Sequence, residues 1–324
     1  MADPDTVFDP RGRRIWVAGH TGMVGSAVVR RLAQEDCEVL TVGRDRVDLR
    51  DAAATLDWLR ENRPDAVVMA AATVGGIKAN DSYPATFLHD NLAIANSTID
   101  GAYRAGVKRF VFLGSSCIYP KLAPQPMQVD SLLTGPLEPT NEWYAVAKIA
   151  GLKMCQAYRR QHGVDYVTAM PCNLYGPHDN FDLEGSHVIP ALMRRFAEAK
   201  AAGANEVAVW GSGTPLREFL HVDDAADACV TVLRAFSGEP AINIGDGREV
   251  SIADLAKRIA EVVGLPGTLR FDPSKPDGAP RKVLDSAEIR RLGWAPSIDL
   301  DAGLRQMYQW YQKQRDADPA ARPD

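Results

Sequence analysis

Tyr144 and Lys148 stand four residues apart in a stretch of helical pattern, so both side chains leave one face and can reach one ligand. The fixed charge of the lysine favours phenolate, which is expected to lower the tyrosine pKa from about 10 toward a value useful in acid–base catalysis. Upstream, Gly19-His-Thr-Gly22-Met-Val-Gly25 follows the buried-strand pattern Arg14-Ile-Trp-Val-Ala18 and opens an amphipathic helix. That is the setting in which amides at a helix N-terminus bind a pyrophosphate. Ser115 falls just beyond another strand pattern, at the carboxyl edge where doubly wound sheets hold ligands. A dinucleotide turn, a tyrosine–lysine pair and a strand-end serine together imply an oxidoreductase.

The second strand pattern is followed by Gly43-Arg44, where an NAD enzyme usually places an acid. Arg44 would pair with a 2′-phosphate, so NADP(H) is the expected cofactor. The alternative is a solvated surface arginine, and Asp45 beside it pulls toward that alternative.

These residues need a scaffold. Strand patterns at 14–18, 38–42, 66–72, 109–114 and 165–170 alternate with helical ones through Gln34 and at 52–62, 84–106 and 142–162. Such alternation implies an α/β fold with a parallel, doubly wound sheet. After Pro171 the rhythm breaks. Residues 173–186 are irregular, a short strand is expected at 207–210, and a helix at 223–236 with a strand at 241–244 restores the pattern. A capped helix is expected at 251–263 and a disordered tail after Lys313. We expect a cofactor domain of residues 11–172 plus about 216–245. A smaller α/β substrate domain would comprise 173–215 plus 246–315.

Composition narrows the classes. Hydrophobic residues make up 46% and charged residues 24% of 324, ordinary for a globular enzyme with ample core. A net charge of -5 without a basic tract argues against nucleic acid. No apolar run approaches the roughly 20 residues that span a bilayer. The polar, acidic start Met1-Ala-Asp-Pro-Asp is unlike a secretory signal, which makes the cytoplasm the expectation. Cys37, Cys117, Cys155, Cys172 and Cys229 are too widely spaced for a disulfide framework or a CxxC site. His221-Val-Asp223 offers two ligand types, but the six histidines show no HxH or HExxH spacing, so no metal is expected.

Ser115, Tyr144 and Lys148, in this order after the glycine turn, resemble the extended short-chain dehydrogenase/reductase family, whose cofactor domain is of Rossmann type. Longer segments sharpen the resemblance over roughly residues 14–312. They are Ala18-Gly-His-Thr-Gly-Met-Val-Gly-Ser26, Gly114-Ser-Ser-Cys-Ile-Tyr-Pro-Lys121, Leu137-Glu-Pro-Thr-Asn141, Asn173-Leu-Tyr-Gly-Pro-His-Asp-Asn180, Ser186-His-Val-Ile-Pro190 and Arg217-Glu-Phe-Leu-His-Val-Asp-Asp224. They resemble the members that epimerise C3 and C5 of GDP-4-keto-6-deoxy-D-mannose and then reduce C4.

The resemblance implies roles. Tyr144 would be the acid toward a carbonyl, Lys148 would hold the ribose, and Ser115 would hydrogen-bond the carbonyl. Cys117 and His187 would be the epimerase acid–base pair. Gly19, Thr21, Gly22, Met23, Val24, Gly25, Arg44 and Ala71 would contact the cofactor. Asn173, Arg195, Trp210 and Arg217 would contact a GDP-sugar, Trp210 by stacking the guanine. A homodimer through 84–106 and 142–162 is implied as well. The chemistry is coherent, because a C4 ketone acidifies both neighbouring carbons. A thiol and an imidazole, with ordinary pKa values near 8.5 and 6.5, can be tuned to exchange those protons. Three positions depart from the pattern: Thr21 where arginine is frequent, Trp143 where a smaller residue is expected, and Cys172 where threonine is usual.

Alternative readings remain. Another GDP-sugar epimerase/reductase, acting on a 3,6-dideoxy sugar, would share these motifs. A 4,6-dehydratase would carry Asp-Glu where Ser116-Cys117 stands. A non-catalytic sensor would be expected to lose Tyr144 or Lys148.

Overall fold

Strand β1 (Arg14–Ala18) is apolar over nearly its whole length because helices cover both of its faces. The strands that follow are β2 (Glu38–Leu40), β3 (Ala66–Met69), β4 (Arg109–Leu113), β5 (Asp165–Pro171), β6 (Asn173–Tyr175), β7 (Glu206–Trp210), β8 (Leu216–His221), β9 (Ile242–Ile244), β10 (Glu249–Ser251), β11 (Thr268–Asp272) and β12 (Arg281–Lys282). The helices are α1 (Met23–Leu32), α2 (Ala52–Asn62), α3 (Ile77–Ser82), α4 (Pro84–Arg104), α5 (Glu142–His162), α6 (Val188–Ala201), α7 (Val222–Ala235), α8 (Ile252–Val263), α9 (Ala287–Arg291) and α10 (Leu300–Ala317). This computed structural model describes residues 6–182, 185–275 and 277–317.

Six strands form one parallel sheet in the order β2-β1-β3-β4-β5-β9. Alternate side chains feed two layers. Ile15, Val68, Val111 and Val167 pack toward α1 and α7, while Trp16, Val67, Phe110 and Tyr166 pack toward α2, α4 and α5. The doubly wound expectation is met. Arg109 ties the layers at the strand start. Its buried guanidinium pairs with Asp165 and donates to the carbonyls of Val232, Leu233 and Phe236 at the end of α7.

A second core gathers Tyr175, Phe196, Val209, Leu255 and Met307 beneath α6, α8 and α10. Its sheets are small. β8 pairs with β10, β12 and β6, and β7 pairs with β11. The 216–245 stretch therefore divides, with β8 in this second sheet while α7 and β9 return to the first.

Helix α5 forms over the expected residues and stops at Gly163, whose left-handed φ of 67° suits a glycine. Ser251 caps α8 by accepting from the Asp254 N–H at 3.0 Å. Other boundaries shift: α1 stops at Leu32 instead of Gln34, and β2 at Leu40 instead of 42. The disordered tail expected after Lys313 is corrected for 314–317, which continue α10 because Tyr308 and Tyr311 anchor that helix on the second core. Residues 318–324 lie outside the described residues, as do Leu183 and Glu184 within the segment expected to be irregular.

Candidate active site

A cavity of about 1260 Å³ runs between the two cores, from the β1–α1 turn to the second sheet. At one end Gly19 adopts φ +85°, and a Cβ there would lie 2.7 Å from the Ala71 backbone. A Cβ on Gly25 would lie 2.0 Å from the Gly19 carbonyl oxygen. Backbone thus packs on backbone, and α1 starts at Met23 behind an N-cap, Gly22, that offers no side-chain hydrogen bond. The first N–H groups of the helix, Met23 to Gly25, have no partner within it and suit an anionic ligand. Arg44 follows β2 on the cavity rim, its side chain 72% exposed and 3.5 Å from Asp48. Turn, free amides and rim arginine fit a dinucleotide carrying a 2′-phosphate.

In the middle, Ser115, Cys117, Tyr144, Lys148 and His187 all line the same cavity. Ser115 ends the β4 exit and accepts from the Cys117 N–H at 3.4 Å, opening the single turn Ser116–Ile118. Tyr144 packs edge-on to Phe87, with ring centroids 6.5 Å apart. Lys148 donates to the Leu113 carbonyl at 2.8 Å, which sets its ammonium 5.7 Å from the Tyr144 ring centre. The expected lowering of the tyrosine pKa is absent from this geometry. Burial pushes Tyr144 far above its ordinary value and Cys117 adds to the rise, while Ser115 opposes it. The same burial brings Lys148 down to about 8.

His187 precedes α6, but its side chain makes no cap hydrogen bond, so helix capping does not occupy the imidazole. Burial and then the charge of Lys282 hold its pKa below the ordinary value. Cys117 is buried, and burial pushes its thiol up.

Toward the second sheet, Trp210 ends β7 with 59% of its surface exposed, unlike a core tryptophan. The Arg195 guanidinium lies 5.6 Å from that ring's centre and donates to the Ala208 carbonyl at 3.2 Å. Its neighbour Arg194 turns away to pair with Glu198 at 2.7 Å, which resolves which arginine of the run faces the cavity. Arg217, on β8, also lines it, and burial lowers its pKa. Asn173 donates its amide to the Glu218 carbonyl at 2.9 Å on the cavity wall. Cys172 is buried beside it, whereas Trp143 is 44% exposed.

Four lining residues escaped the sequence reading. Asp277 accepts from the Ser212 N–H at 2.7 Å, and Glu138 pairs with Lys121 at 3.0 Å. Asp179 is buried with one carboxylate oxygen unpartnered, and burial pushes its pKa up to about 7. The fourth is Lys282 on β12. Asp179 and Glu138 both lie in motif segments that carry the family resemblance and could have been singled out there. The others sit in stretches without periodicity.

The cavity is also closed by a seam between loops. Gly76 N–H donates to the Gly185 carbonyl at 2.7 Å, and a Cβ on Gly76 would lie 2.4 Å from the Ser186 carbonyl oxygen. Ser186 and His187 are thereby held against the loop that leaves β3.

A doubly wound sheet with this tyrosine, lysine and serine at its carboxyl edge defines a nicotinamide-dependent oxidoreductase. The chain belongs to the NAD dependent epimerase/dehydratase family, whose model matches residues 15–245. It is 56% identical over 304 residues to GDP-L-fucose synthase 1 of Arabidopsis thaliana, covering 94% of each chain. The GDP-L-colitose synthase of Yersinia pseudotuberculosis is 36% identical, with coverage of 94% of this chain and 100% of that one. Among solved structures, a GDP-L-fucose synthetase from Naegleria fowleri bound to NADP matches with a TM-score of 0.88 at 29% identity, over 98% of this chain and 99% of that chain.

Proposed function

We propose that this chain converts GDP-4-keto-6-deoxy-D-mannose to GDP-L-fucose, inverting C3 and C5 and then reducing C4 with NADPH. The observation that carries this reading is one cavity holding both a reductase set and a thiol–imidazole pair, between a phosphate-binding turn and an exposed tryptophan. Bound NADPH would supply hydride. Gly19, Thr21, Gly22, Met23, Val24 and Gly25 would seat its pyrophosphate, with Ala71 packed under the turn, and Arg44 would meet the 2′-phosphate.

The sugar chemistry belongs to the chain. Cys117 and His187 remove and return protons on opposite ring faces at the carbons beside the ketone. Tyr144 and Ser115 stabilise the oxygen as it becomes an enolate, and Tyr144 later protonates the C4 alkoxide. Lys148 keeps a positive charge near that oxygen. Trp210 stacks the guanine, and Arg195 and Arg217 face the diphosphate or sugar, with Asn173 on the wall between. The sugar nucleotide therefore lies against the second core and β8, and the cofactor against the large sheet.

Incubation with GDP-4-keto-6-deoxy-D-mannose and NADPH, followed by NMR of the product sugar, tests the assignment. A fucose-configured product is expected, and a product with unchanged C3 and C5 overturns it. The 36% identity to the colitose enzyme, against 56% to the fucose enzyme, favours the 6-deoxy over the 3,6-dideoxy sugar. Leu92 on α4 and Val146 on α5 leave apolar surface exposed on two adjacent helices, which supports a homodimer through that pair. Among the described residues no helix is long and apolar enough to cross a membrane. We place the enzyme in the cytoplasm, where its nucleotide-sugar chemistry would run.

A further inference from the structure

Arg50 sits at a fixed point of the chain, between the loop that leaves β2 and the start of α2. The next residue, Asp51, caps α2 by accepting from the Ala53 and Ala54 N–H groups at 2.9 and 3.0 Å. The carbonyl of the preceding Leu49 accepts from the Ser97 hydroxyl on α4. From this anchored backbone the guanidinium spans two carboxylates. Nε and Nη2 donate to Asp48 Oδ1 and Oδ2 at 3.0 and 2.6 Å, and the Arg50 backbone N–H adds a bond to Oδ1 at 3.0 Å. Nη1 reaches across to both oxygens of Asp90 on α4, at 3.2 and 3.3 Å. Asp90 is buried and is also met by the Thr73 hydroxyl and the His89 ring, each at 3.3 Å.

Arg44, Asp48, Arg50 and Asp90 all line the cavity, so this ion-pair chain runs along the wall beside the rim arginine. It decides what Asp48 can do to Arg44. Arg44 Nε lies 3.5 Å from Asp48 Oδ2, close enough to attract but beyond a good hydrogen bond. Both Asp48 oxygens are already held by Arg50, and a carboxylate so occupied competes weakly for a second guanidinium. Arg44 therefore stays exposed and able to turn to a phosphate. Thr21 in the glycine turn brings no cation of its own, which leaves the selection of a 2′-phosphate leaning on Arg44. Arg44 and Arg50 balance Asp48 and Asp90. Without Arg50, negative charge would be in excess where a phosphate dianion must settle, and Asp48 would be free to take Arg44.

We propose that Arg50 is a positioning residue for cofactor choice: by occupying Asp48 it leaves Arg44 to the 2′-phosphate, without itself touching the cofactor. The inference rests on the Arg44 contact proposed above and adds the two residues that keep that arginine available. The alternative role, a direct second contact from Arg50 to the phosphate, would require the guanidinium to abandon the bonds to Asp48 and Asp90.

Equilibrium fluorescence titration of the full-length protein with NADPH and with NADH tests this, the readout being the ratio of the two Kd values. A merely structural loss weakens both cofactors alike and leaves that ratio where it was. Arg50→Gln should lower the preference for NADPH by about 3- to 5-fold, the scale of one exposed ion pair, and the loss should shrink at high ionic strength. Arg50→Gln/Asp48→Asn should return the ratio to wild type, because no carboxylate remains to hold Arg44. Should Arg50→Gln bind neither cofactor, Arg50→Gln/Asp90→Asn removes the buried charge left unpaired and carries the same expectation. An unchanged ratio in the single variant overturns the proposal. A lowered ratio that Asp48→Asn does not restore also overturns it, since Arg50 would then meet the phosphate directly. Arg44→Ala separates the two readings. If it lowers the ratio while Arg50→Gln does not, only the role of Arg50 falls; if neither moves it, the Arg44 contact falls as well.

Discussion

The proposed cofactor end and the proposed sugar end of the cavity are built in different ways. At the cofactor end the ligand-facing groups are mostly backbone: the amides opening α1, the Gly19 turn and the exit of β3. At the sugar end they are side chains, Trp210, Arg195, Arg217 and Lys282, carried on short strands and one helix of a separate small core. Backbone sites inherit their geometry from the parallel sheet. Side-chain sites depend on local packing and can change specificity without disturbing the fold. The proposed catalytic residues, Ser115, Cys117, Tyr144, Lys148 and His187, line the cavity where the two meet.

The contrast can be broken by substitution. Tyr144→Phe removes the proton donor at the meeting point and should lower ketosugar-dependent NADPH oxidation by about 10²- to 10⁴-fold. Near-normal oxidation would remove the tyrosine from the mechanism. Cys117→Ser replaces the thiol with a hydroxyl of much higher pKa and should cut deuterium wash-in at C3 and C5 by roughly 10²-fold or more while NADPH still binds. His187→Gln should impair inversion in the same assay, and wild-type wash-in by both variants would mean that other residues carry the protons. Arg44→Ala should weaken NADPH by roughly 10-fold and leave NADH little changed, since only the former offers the 2′-phosphate. Equal losses for the two cofactors would refute that contact. Trp210→Ala should raise KM for the GDP-sugar by about 5-fold at unchanged kcat, the effect of a lost stacking surface. A change in kcat alone would place the tryptophan elsewhere in the reaction.

The same contrast governs how much could be read from the chain. Helix α5 was legible because its period is continuous and a glycine ends it, and the glycine turn because strand and helix bracket it. β8 and β12 were not, since one mixes charged with apolar residues and the other has two residues. Both exist through non-local pairing. Lys282 was therefore invisible: nothing in Arg281-Lys282 announces a cation on the cavity wall. Arg194 and Arg195 were indistinguishable in sequence, yet adjacent helical positions point about 100° apart, and only Arg195 meets Trp210. The direction of the Tyr144 shift was misjudged for a related reason. The lysine is in the sequence, but the depth of burial that raises the phenol is a property of the assembled cavity.

The seam at Gly76 gives this division of labour a measurable tolerance. With only a hydrogen atom between the loop leaving β3 and the Ser186 carbonyl, the two halves meet too closely for a side chain to stand between them. A methyl group there would act as a shim, displacing Ser186 and its neighbour His187 by about 1 Å to regain ordinary contact distances. Misplacement of that size can cost about 10²-fold in a reaction that needs aligned donors. The gauge of the whole machine, the gap across which sugar and hydride must meet, is thus set by a side chain that is not there.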